Sequence, residues 1–127
     1  LWERDIKVAM QSGRTPVISE RTVVLMNAML QKAIAEGTGA PLRTQYGVTF
    51  PVAGKTGTAQ IPVEGHYDES NTIHSFVGFA PVENPKFVML VTLKSPQSSP
   101  WAAETAAPAW YGIAKHLFPH FGIAPEK

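Results

Sequence analysis

The 127-residue chain contains no cysteine, so it can build neither a disulfide framework nor a thiolate zinc site. No apolar run reaches the roughly 20 residues that a membrane-spanning helix needs. The eleven lysines and arginines are scattered and the net charge is only +1, which gives no electrostatic argument for nucleic acid binding. Low-complexity segments and internal repeats are also missing. The length is that of one modest domain, and residues 1–127 are expected to form a single unit.

The most regular pattern in the sequence lies between Ser19 and Gly37 and predicts a helix. Ser19 suits the N-cap, and Glu20 suits the positive end of the helix dipole. Gly37 is expected to end the helix in a left-handed conformation. Five apolar residues recur at helical spacing and are expected to face the core: Val23, Met26, Leu30, Ala33 and Ile34.

The middle of the chain is expected to supply about three strands. Residues 49–61 read as extended, and residues 75–81 and 86–93 read as an antiparallel hairpin around a tight turn. The second hairpin strand is apolar on both faces, which is typical of a strand covered on both sides. Stretches that are polar or rich in glycine and proline are expected to be loops, at 38–47, 62–74 and 94–100.

A last helix is expected near the C-terminus. Ser99 and Pro100 suit its N-cap and first position, and it should continue to about Leu117. Pro108 should either kink this helix or mark its true start. The expected fold class is therefore α/β (α+β), with an antiparallel sheet of about three strands between a preceding helix and a C-terminal helix.

The segment VAGKTGTAQ, residues 52–60, raises the question of what Lys55 does. Gly54, Lys55 and Thr56 imitate the end of a phosphate-binding loop. That motif also needs a glycine five positions earlier, where Thr49 stands. It needs a helix that begins at the lysine, because the helix N-terminus holds the phosphates. A strand is expected here instead, so the phosphate interpretation fails on both counts.

Two interpretations of Lys55 remain open from the residues alone. It is an exposed lysine beside a glycine turn, or it belongs to a Lys-Thr-Gly triad at the edge of a serine-acylating site. The second needs a cation, hydroxyl groups that bind a carboxylate, and a glycine that allows close backbone approach. Lys55, Thr56, Gly57 and Thr58 supply these groups in consecutive positions.

The neighbouring sequence resembles the penicillin-binding proteins, especially the class B transpeptidases. The resemblance rests on four stretches in order, at 17–39, 52–60, 74–91 and 106–114, the last three reading VAGKTGTAQ, HSFVGFAPVENPKFVMLV and AAPAWYGIA. It implies that the triad lies on an edge strand bordering an active site. That site would bind a peptidoglycan stem peptide or a β-lactam, without a cofactor.

The resemblance also implies a role for each residue of the triad. Lys55 would set the electrostatics around the nucleophile and the substrate carboxylate. Thr56 and Thr58 would hydrogen-bond that carboxylate, which a D-Ala-D-Ala peptide or a β-lactam supplies. Gly57 would keep the strand bare for the ligand, and the backbone N–H of Thr58 would donate to the oxyanion formed during acylation.

The nucleophile that this family uses is missing from the chain. The family reaction begins at a serine in Ser-x-x-Lys, assisted by Ser-x-Asn, and neither motif occurs among the 127 residues. The chain, which starts without methionine, is therefore expected to be the C-terminal portion of a transpeptidase domain and to be inactive when isolated. A separate chain or missing segment should carry the serine. Otherwise the exposed sheet edge should drive self-association. The parent protein is expected at the extracytoplasmic face of the bacterial plasma membrane, anchored by an upstream segment.

Other functions and sites stay open or unsupported at this stage. A β-lactamase or β-lactam sensor fragment shares the Lys-Thr-Gly triad, and a non-catalytic binding module is a third possibility. A metal site is not expected, because its candidate ligands fall in a polar loop without converging spacing: His66, Asp68 and His74. Ser75 is either close to the site or an ordinary strand residue. Trp101 and Trp110 should pack the last helix or face a partner, and Glu104 should be a solvated helix residue.

Overall fold

A three-stranded antiparallel sheet is the centre of the structure, a computed structural model that describes residues 15–63 and 65–126. The elements in chain order are α1 (Glu20–Ala35), α2 (Ala40–Thr44), β1 (Ala53–Val63), β2 (His66–Ala80), β3 (Phe87–Lys94), a short 3-10 turn (Ala102–Glu104) and α3 (Ala106–His120). The strand order is β1-β2-β3, so β1 is an edge of the sheet. The expected fold class and its helix–sheet–helix order are confirmed.

The register between β1 and β2 decides which side chains share a face. Thr56 lies opposite Phe76 and Thr58 lies opposite His74, and both partners are buried. Lys55 lies opposite Val77, which is on the other face because side chains alternate along a strand. β2 and β3 are also antiparallel, so the hairpin expected from residues 75–81 and 86–93 is confirmed.

The loop expected at 62–74 is wrong, because β1 and β2 extend through it as a long two-stranded ribbon. Gly65 makes the turn with a φ of 83°. Tyr67, Thr72 and Ile73 favour extended backbone. The polar composition misled the prediction, since a ribbon that is solvated on both faces can be as polar as a loop. The loop expected at 38–47 similarly contains α2, where a proline stands in the first turn.

The core lies between the sheet and α3. The rings of Phe76 and Trp110 meet edge to face with centroids 5.2 Å apart, and both side chains are fully buried. Trp110 Nε1 donates to the Met89 carbonyl at 2.9 Å, which satisfies its polar atom in the interior. A Cβ on Gly78 would lie 2.8 Å from the Trp110 ring, so the indole packs directly on the strand backbone. Trp110 is therefore a packing residue, as one of its two interpretations held.

The start of the last helix differs from the prediction. Ser99 Oγ does accept the Trp101 amide at 3.1 Å, as a cap would, but the chain then makes only the single 3-10 turn. The α-helix begins at Ala106 and runs to His120, beyond the expected end near Leu117. Pro108 falls in the first turn of α3, where proline is tolerated, and so marks the true start.

Both ends of α1 follow from local chemistry, although one end differs from the expectation. The Ser19 hydroxyl accepts the Thr22 amide at 3.2 Å, so the predicted N-cap is confirmed. The left-handed conformation predicted for Gly37 is wrong, because the described glycines with positive φ are Gly47, Gly65 and Gly122. A Cβ at Gly37 would lie 2.9 Å from the Ala33 carbonyl, so lack of space explains this glycine.

The apolar stripe of α1 was expected to be core, and most of it is not. Ile34 is fully buried, but Val23 and Met26 are 40% and 43% exposed. On β3, Val88 and Leu90 are 71% and 63% exposed, so the helices within residues 15–63 and 65–126 do not cover both faces of that strand. We call these two regions the open apolar surfaces, and their residues are Val23, Val24, Leu25, Met26, Met29, Val77, Val88 and Leu90.

We predict that Gly54→Ala lowers the free energy of unfolding by about 1–3 kcal/mol. An added Cβ would lie 2.5 Å from the Val77 carbonyl and 3.0 Å from Gly78 Cα, and backbone atoms of a paired strand cannot yield easily. Gly112→Ala is the control, because nothing lies within 4 Å of its Cβ position and its helix should gain up to about 1 kcal/mol. Urea unfolding measures both. An unchanged midpoint for Gly54→Ala would contradict the register of the sheet.

Candidate active site

A cavity of about 460 Å³ opens beside the edge strand β1. Three parts of the chain that are separate in sequence meet there: the strand β1, the region around the junction of α1 and α2, and the segment that contains the 3-10 turn. The residues that line it are Gly37, Thr38, Pro41, Lys55, Thr56, Thr58, Trp101, Ala102, Ala103 and Glu104. The structure therefore places Lys55, Thr56 and Thr58 along one cavity, together with residues of two other segments.

The Lys55 ammonium is held by oxygen atoms. Its Nζ donates to the Thr56 carbonyl at 3.0 Å, to Thr38 Oγ1 at 3.2 Å and to Thr56 Oγ1 at 3.3 Å. Thr56 Oγ1 in turn donates to Thr38 Oγ1 at 2.8 Å. These bonds draw the ammonium from its own face of the strand to the edge that borders the cavity. They fix its position without neutralising its charge.

The charge of Lys55 has no carboxylate partner within the described ranges 15–63 and 65–126. Glu104 lies in the lining of the same cavity, but its carboxylate accepts the Ser99 hydroxyl at 2.7 Å. The strand side of the cavity is therefore positive, and the wall formed by the 3-10 segment carries one negative group. An anionic ligand group is favoured beside Lys55 and disfavoured beside Glu104.

The backbone of β1 also offers groups to the cavity. In an extended strand the N–H and C=O groups of residues two apart point to the same side. The Thr56 carbonyl points to the Lys55 ammonium, so the N–H of Thr58 is directed to the same edge. Gly57 faces Ser75 across the sheet, and a Cβ there would lie 2.6 Å from Ser75 Oγ. Strand pairing thus accounts for the bare position at Gly57.

The groups along this edge are of the kind that bind anions. The edge offers one ammonium, the hydroxyls of Thr56 and Thr58, and backbone N–H groups, which together suit a carboxylate. Within the described part of the chain, no residue is hydrogen-bonded to the Thr58 hydroxyl, so it can donate to a ligand. Ser75 Oγ lies 3.4 Å from the Gly57 carbonyl but does not line the cavity. Ser75 is a strand residue here.

Sequence reasoning missed three residues of the cavity walls. Thr38 lies in the turn between α1 and α2, and its part in the cavity was not predicted. The available signal was a hydroxyl between two glycines just after a helix. Trp101 is 64% exposed and lines the cavity, so of its two expected roles packing in the last helix is wrong, while contact with a partner stays a prediction. Glu104 is exposed as predicted, but it stands in the 3-10 turn and not in the last helix. Both errors follow from the late start of α3.

The histidines are placed differently from the sequence interpretation. His74, assigned to a polar loop, is fully buried on β2 and hydrogen-bonded through both ring nitrogens. His66 stands at the exposed start of the same strand. In the described ranges, no group of three His, Cys, Asp or Glu side chains is close enough to hold a metal ion.

The arrangement of an unpaired lysine, hydroxyls and an edge strand can be compared with known proteins. The family model of the penicillin binding protein transpeptidase domain matches residues 3–117. This chain belongs to the penicillin-binding protein transpeptidase family. The chain is 35% identical over 126 residues to stage V sporulation protein D of Bacillus subtilis. The matched region covers 98% of this chain and 19% of that protein.

Solved structures of the transpeptidase family agree with the fold. Penicillin-binding protein 3 from Mycobacterium tuberculosis, crystallised with ampicillin, matches with a TM-score of 0.71 and 26% identity, covering 91% of this chain and 28% of that one. The transpeptidase domain of penicillin-binding protein 3 from Burkholderia pseudomallei matches with a TM-score of 0.66 and 26% identity, covering 80% and 30%. The chain thus spans less than a third of these relatives. None of its described helices has the length and apolarity to cross a membrane.

Proposed function

We propose that this chain is the C-terminal part of a D,D-transpeptidase that cross-links peptidoglycan stem peptides through an acyl-serine intermediate and is acylated by β-lactams. One observation carries the proposal: Lys55 is fixed by Thr38 and Thr56 at the edge strand, beside a cavity and without a described carboxylate partner. Membership of the transpeptidase family supports it. So does the likeness to a relative solved with ampicillin, a β-lactam.

The substrate carboxylate would bind at the strand edge. Thr56 and Thr58 donate their hydroxyl hydrogens to it, and Lys55 attracts it by charge. The nearby ammonium also favours the ionised form of an attacking serine. As that serine attacks the carbonyl of the terminal peptide bond, the carbonyl oxygen gains negative charge. The N–H of Thr58 points to this edge and would stabilise that charge.

The attacking serine would come from outside this chain. No Ser-x-x-Lys and no Ser-x-Asn occurs in the sequence, so the chain supplies a substrate-binding edge and not the nucleophile. The segment that carries the serine is either a further part of the same protein or a separate chain. The terminal peptide bond would then break, and its amino group would leave with a proton equivalent to the one that the serine loses. The acyl group would be held on that serine until an amine of a second stem peptide attacks it, which forms the new amide bond and returns a proton to the serine oxygen.

The open apolar surfaces are the place where this missing part would pack. Val88 and Leu90 are more than half exposed on a strand whose other face is packed against α3. The chain covers 28% and 30% of the matched solved structures, so most of such a domain lies outside it. We assign the surfaces to the remainder of the transpeptidase domain. The assembled protein would work at the extracytoplasmic face of the bacterial plasma membrane, anchored by a segment outside this chain.

We predict that Lys55→Gln slows acylation by about 10- to 100-fold, because a charge-assisted contact is worth roughly 1.5–3 kcal/mol. The chain would be mixed with a transpeptidase segment that carries Ser-x-x-Lys and Ser-x-Asn, and acylation by a fluorescent penicillin would be followed. Thr58→Val should slow acylation about tenfold. Lys115→Gln is the matched control, since this exposed lysine lies on α3, outside the cavity lining.

The acylation experiment separates the proposed function from its competitors. Unchanged acylation of Lys55→Gln would contradict the role of the edge strand. Rapid release of the penicillin product in the mixture would identify a β-lactamase instead. No acylation by any mixture, with both parts folded, would favour a non-catalytic module.

We predict that the isolated chain self-associates and that Leu90→Glu weakens this association, because a charge on an open apolar surface opposes burial. Tyr67→Glu is the control: Tyr67 is 73% exposed but lies near the ribbon turn, outside the open apolar surfaces. Sedimentation velocity at several concentrations measures both variants. A well-folded monomer for the original chain at all concentrations would refute the assignment of these surfaces.

A further inference from the structure

The cavity wall formed by Trp101 and the 3-10 turn has little secondary structure of its own. Residues 95–101 are irregular, and the single 3-10 turn that follows is closed by the Glu104 amide on the Trp101 carbonyl at 3.0 Å. The Thr105 amide reaches the Ala102 carbonyl only at 3.4 Å. Yet this segment presents Trp101, a residue that is 64% exposed, to the cavity. Ser99 braces the turn locally, because its Oγ accepts the Trp101 amide at 3.1 Å and donates to the Glu104 carboxylate at 2.7 Å. These two bonds do not tie the segment to the sheet.

A buried histidine on β2 reaches this wall. His74 is completely buried, and its Nδ1 lies 2.7 Å from Thr105 Oγ1. Thr105 Oγ1 donates its hydrogen to the Trp101 carbonyl at 3.1 Å. A hydroxyl has only one hydrogen, so Thr105 must accept from the ring, and the proton stands on Nδ1. The other ring nitrogen, Nε2, lies 2.9 Å from Thr72 Oγ1.

His74 is also tied to the strand β1, which forms another wall of the cavity. It is the cross-strand partner of Thr58 in the β1–β2 ladder. His74 therefore connects the two walls. Its backbone pairs with Thr58, and its ring is linked to the Trp101 carbonyl through the single hydroxyl of Thr105. The chain of bonds from the ring to the Trp101 carbonyl runs directly to the wall.

We propose that His74 is a positioning residue that sets the spacing between the substrate edge and the Trp101 wall through its Nδ1–H bond to Thr105. The consequence for substrate rests on the proposed function: the wall contacts the part of a stem peptide or β-lactam remote from its carboxylate. Trp101 offers that part an apolar surface. Loosening the wall weakens binding before acylation and leaves the acyl-transfer step unchanged, since His74 touches no reacting atom.

The positioning role can be tested directly in this chain, without any activity. Long-range ¹⁵N NMR of the imidazole should show the proton on Nδ1. Thr105→Val keeps the side-chain volume but removes the hydroxyl, and should speed amide exchange at Glu104 about fivefold or more. Thr105→Ser keeps the hydroxyl, so amide exchange at Glu104 should stay as slow as in the original chain. Thr72→Val is the control, since it alters only the Nε2 side and should leave exchange at Glu104 unchanged.

Two results on the imidazole proton and the Glu104 amide would contradict the positioning role of His74. A proton on Nε2 alone, or unchanged exchange in Thr105→Val, would overturn the proposal. The Ile123 amide, which donates to the Phe118 carbonyl at 2.8 Å, is a reference in the core. If amide exchange becomes faster by the same factor at Glu104 and at Ile123, the variant is destabilised as a whole, and this result would also overturn the proposal. His74→Asn, which keeps an N–H donor near Nδ1, should protect the wall better than His74→Leu.

The effect on substrate is read separately, in the acylation mixture described above. Thr105→Val should raise the penicillin concentration for half-maximal acylation about fivefold and leave the limiting rate unchanged. Thr105→Ser should behave as the original chain does. A fall in the limiting rate alone would refute the positioning role. If no mixture acylates, the proposed function fails, while the NMR and exchange results still decide whether His74 holds the wall.

Discussion

The antiparallel ladder between β1 and β2 is the constraint on which the other features depend. It places Gly54 beside Gly78, where two missing side chains let the strands and the Trp110 ring approach closely. It sets Thr58 opposite His74 and Thr56 opposite Phe76. A shift of one residue would turn every one of these side chains to the other face. The core, the substrate edge and the His74 contact would then be lost together.

Because β1 is the edge of the sheet, half of its backbone groups are available to a ligand. An added peptide strand can pair with such an edge, and flanking side chains then provide specificity. Here the flanking groups are the Lys55 ammonium and the hydroxyls of Thr56 and Thr58. The ammonium is already oriented by Thr38, so little side-chain entropy remains to be lost when an anion binds. The Lys55 ammonium is held in place but keeps its charge, so it can bind a carboxylate with little rearrangement.

The sequence was informative where the chemistry is local. Lys55, Thr56, Gly57 and Thr58 are adjacent, so their order shows the groups available, and Ser19 shows where α1 begins. Trp101 and Thr38 could not be placed in the same way. They reach the cavity through packing between segments that are distant in sequence, and the late start of α3 determines where Trp101 lies. His74 looked like a loop residue because polarity alone does not separate a solvated ribbon from a loop.

The stripe of α1 shows a different limit. Periodicity predicts which face of a helix is apolar, and it did so here, but it does not say whether this chain supplies the covering surface. Val23 and Met26 form an apolar face that stays largely exposed in the described structure. The same holds for Val88 and Leu90 on β3. An apolar pattern without a cover is what one expects from part of a larger domain, and it agrees with coverage of only 28% and 30% of the matched structures.

If this chain provides the substrate edge for a serine that another segment carries, a β-lactam must become attached to that other segment. Mass spectrometry of the penicillin-treated mixture can locate the covalent adduct. We expect an adduct on the serine of Ser-x-x-Lys in the added segment and none on the 127-residue chain. An adduct on any of the serines of this chain, alone or in the mixture, would contradict it.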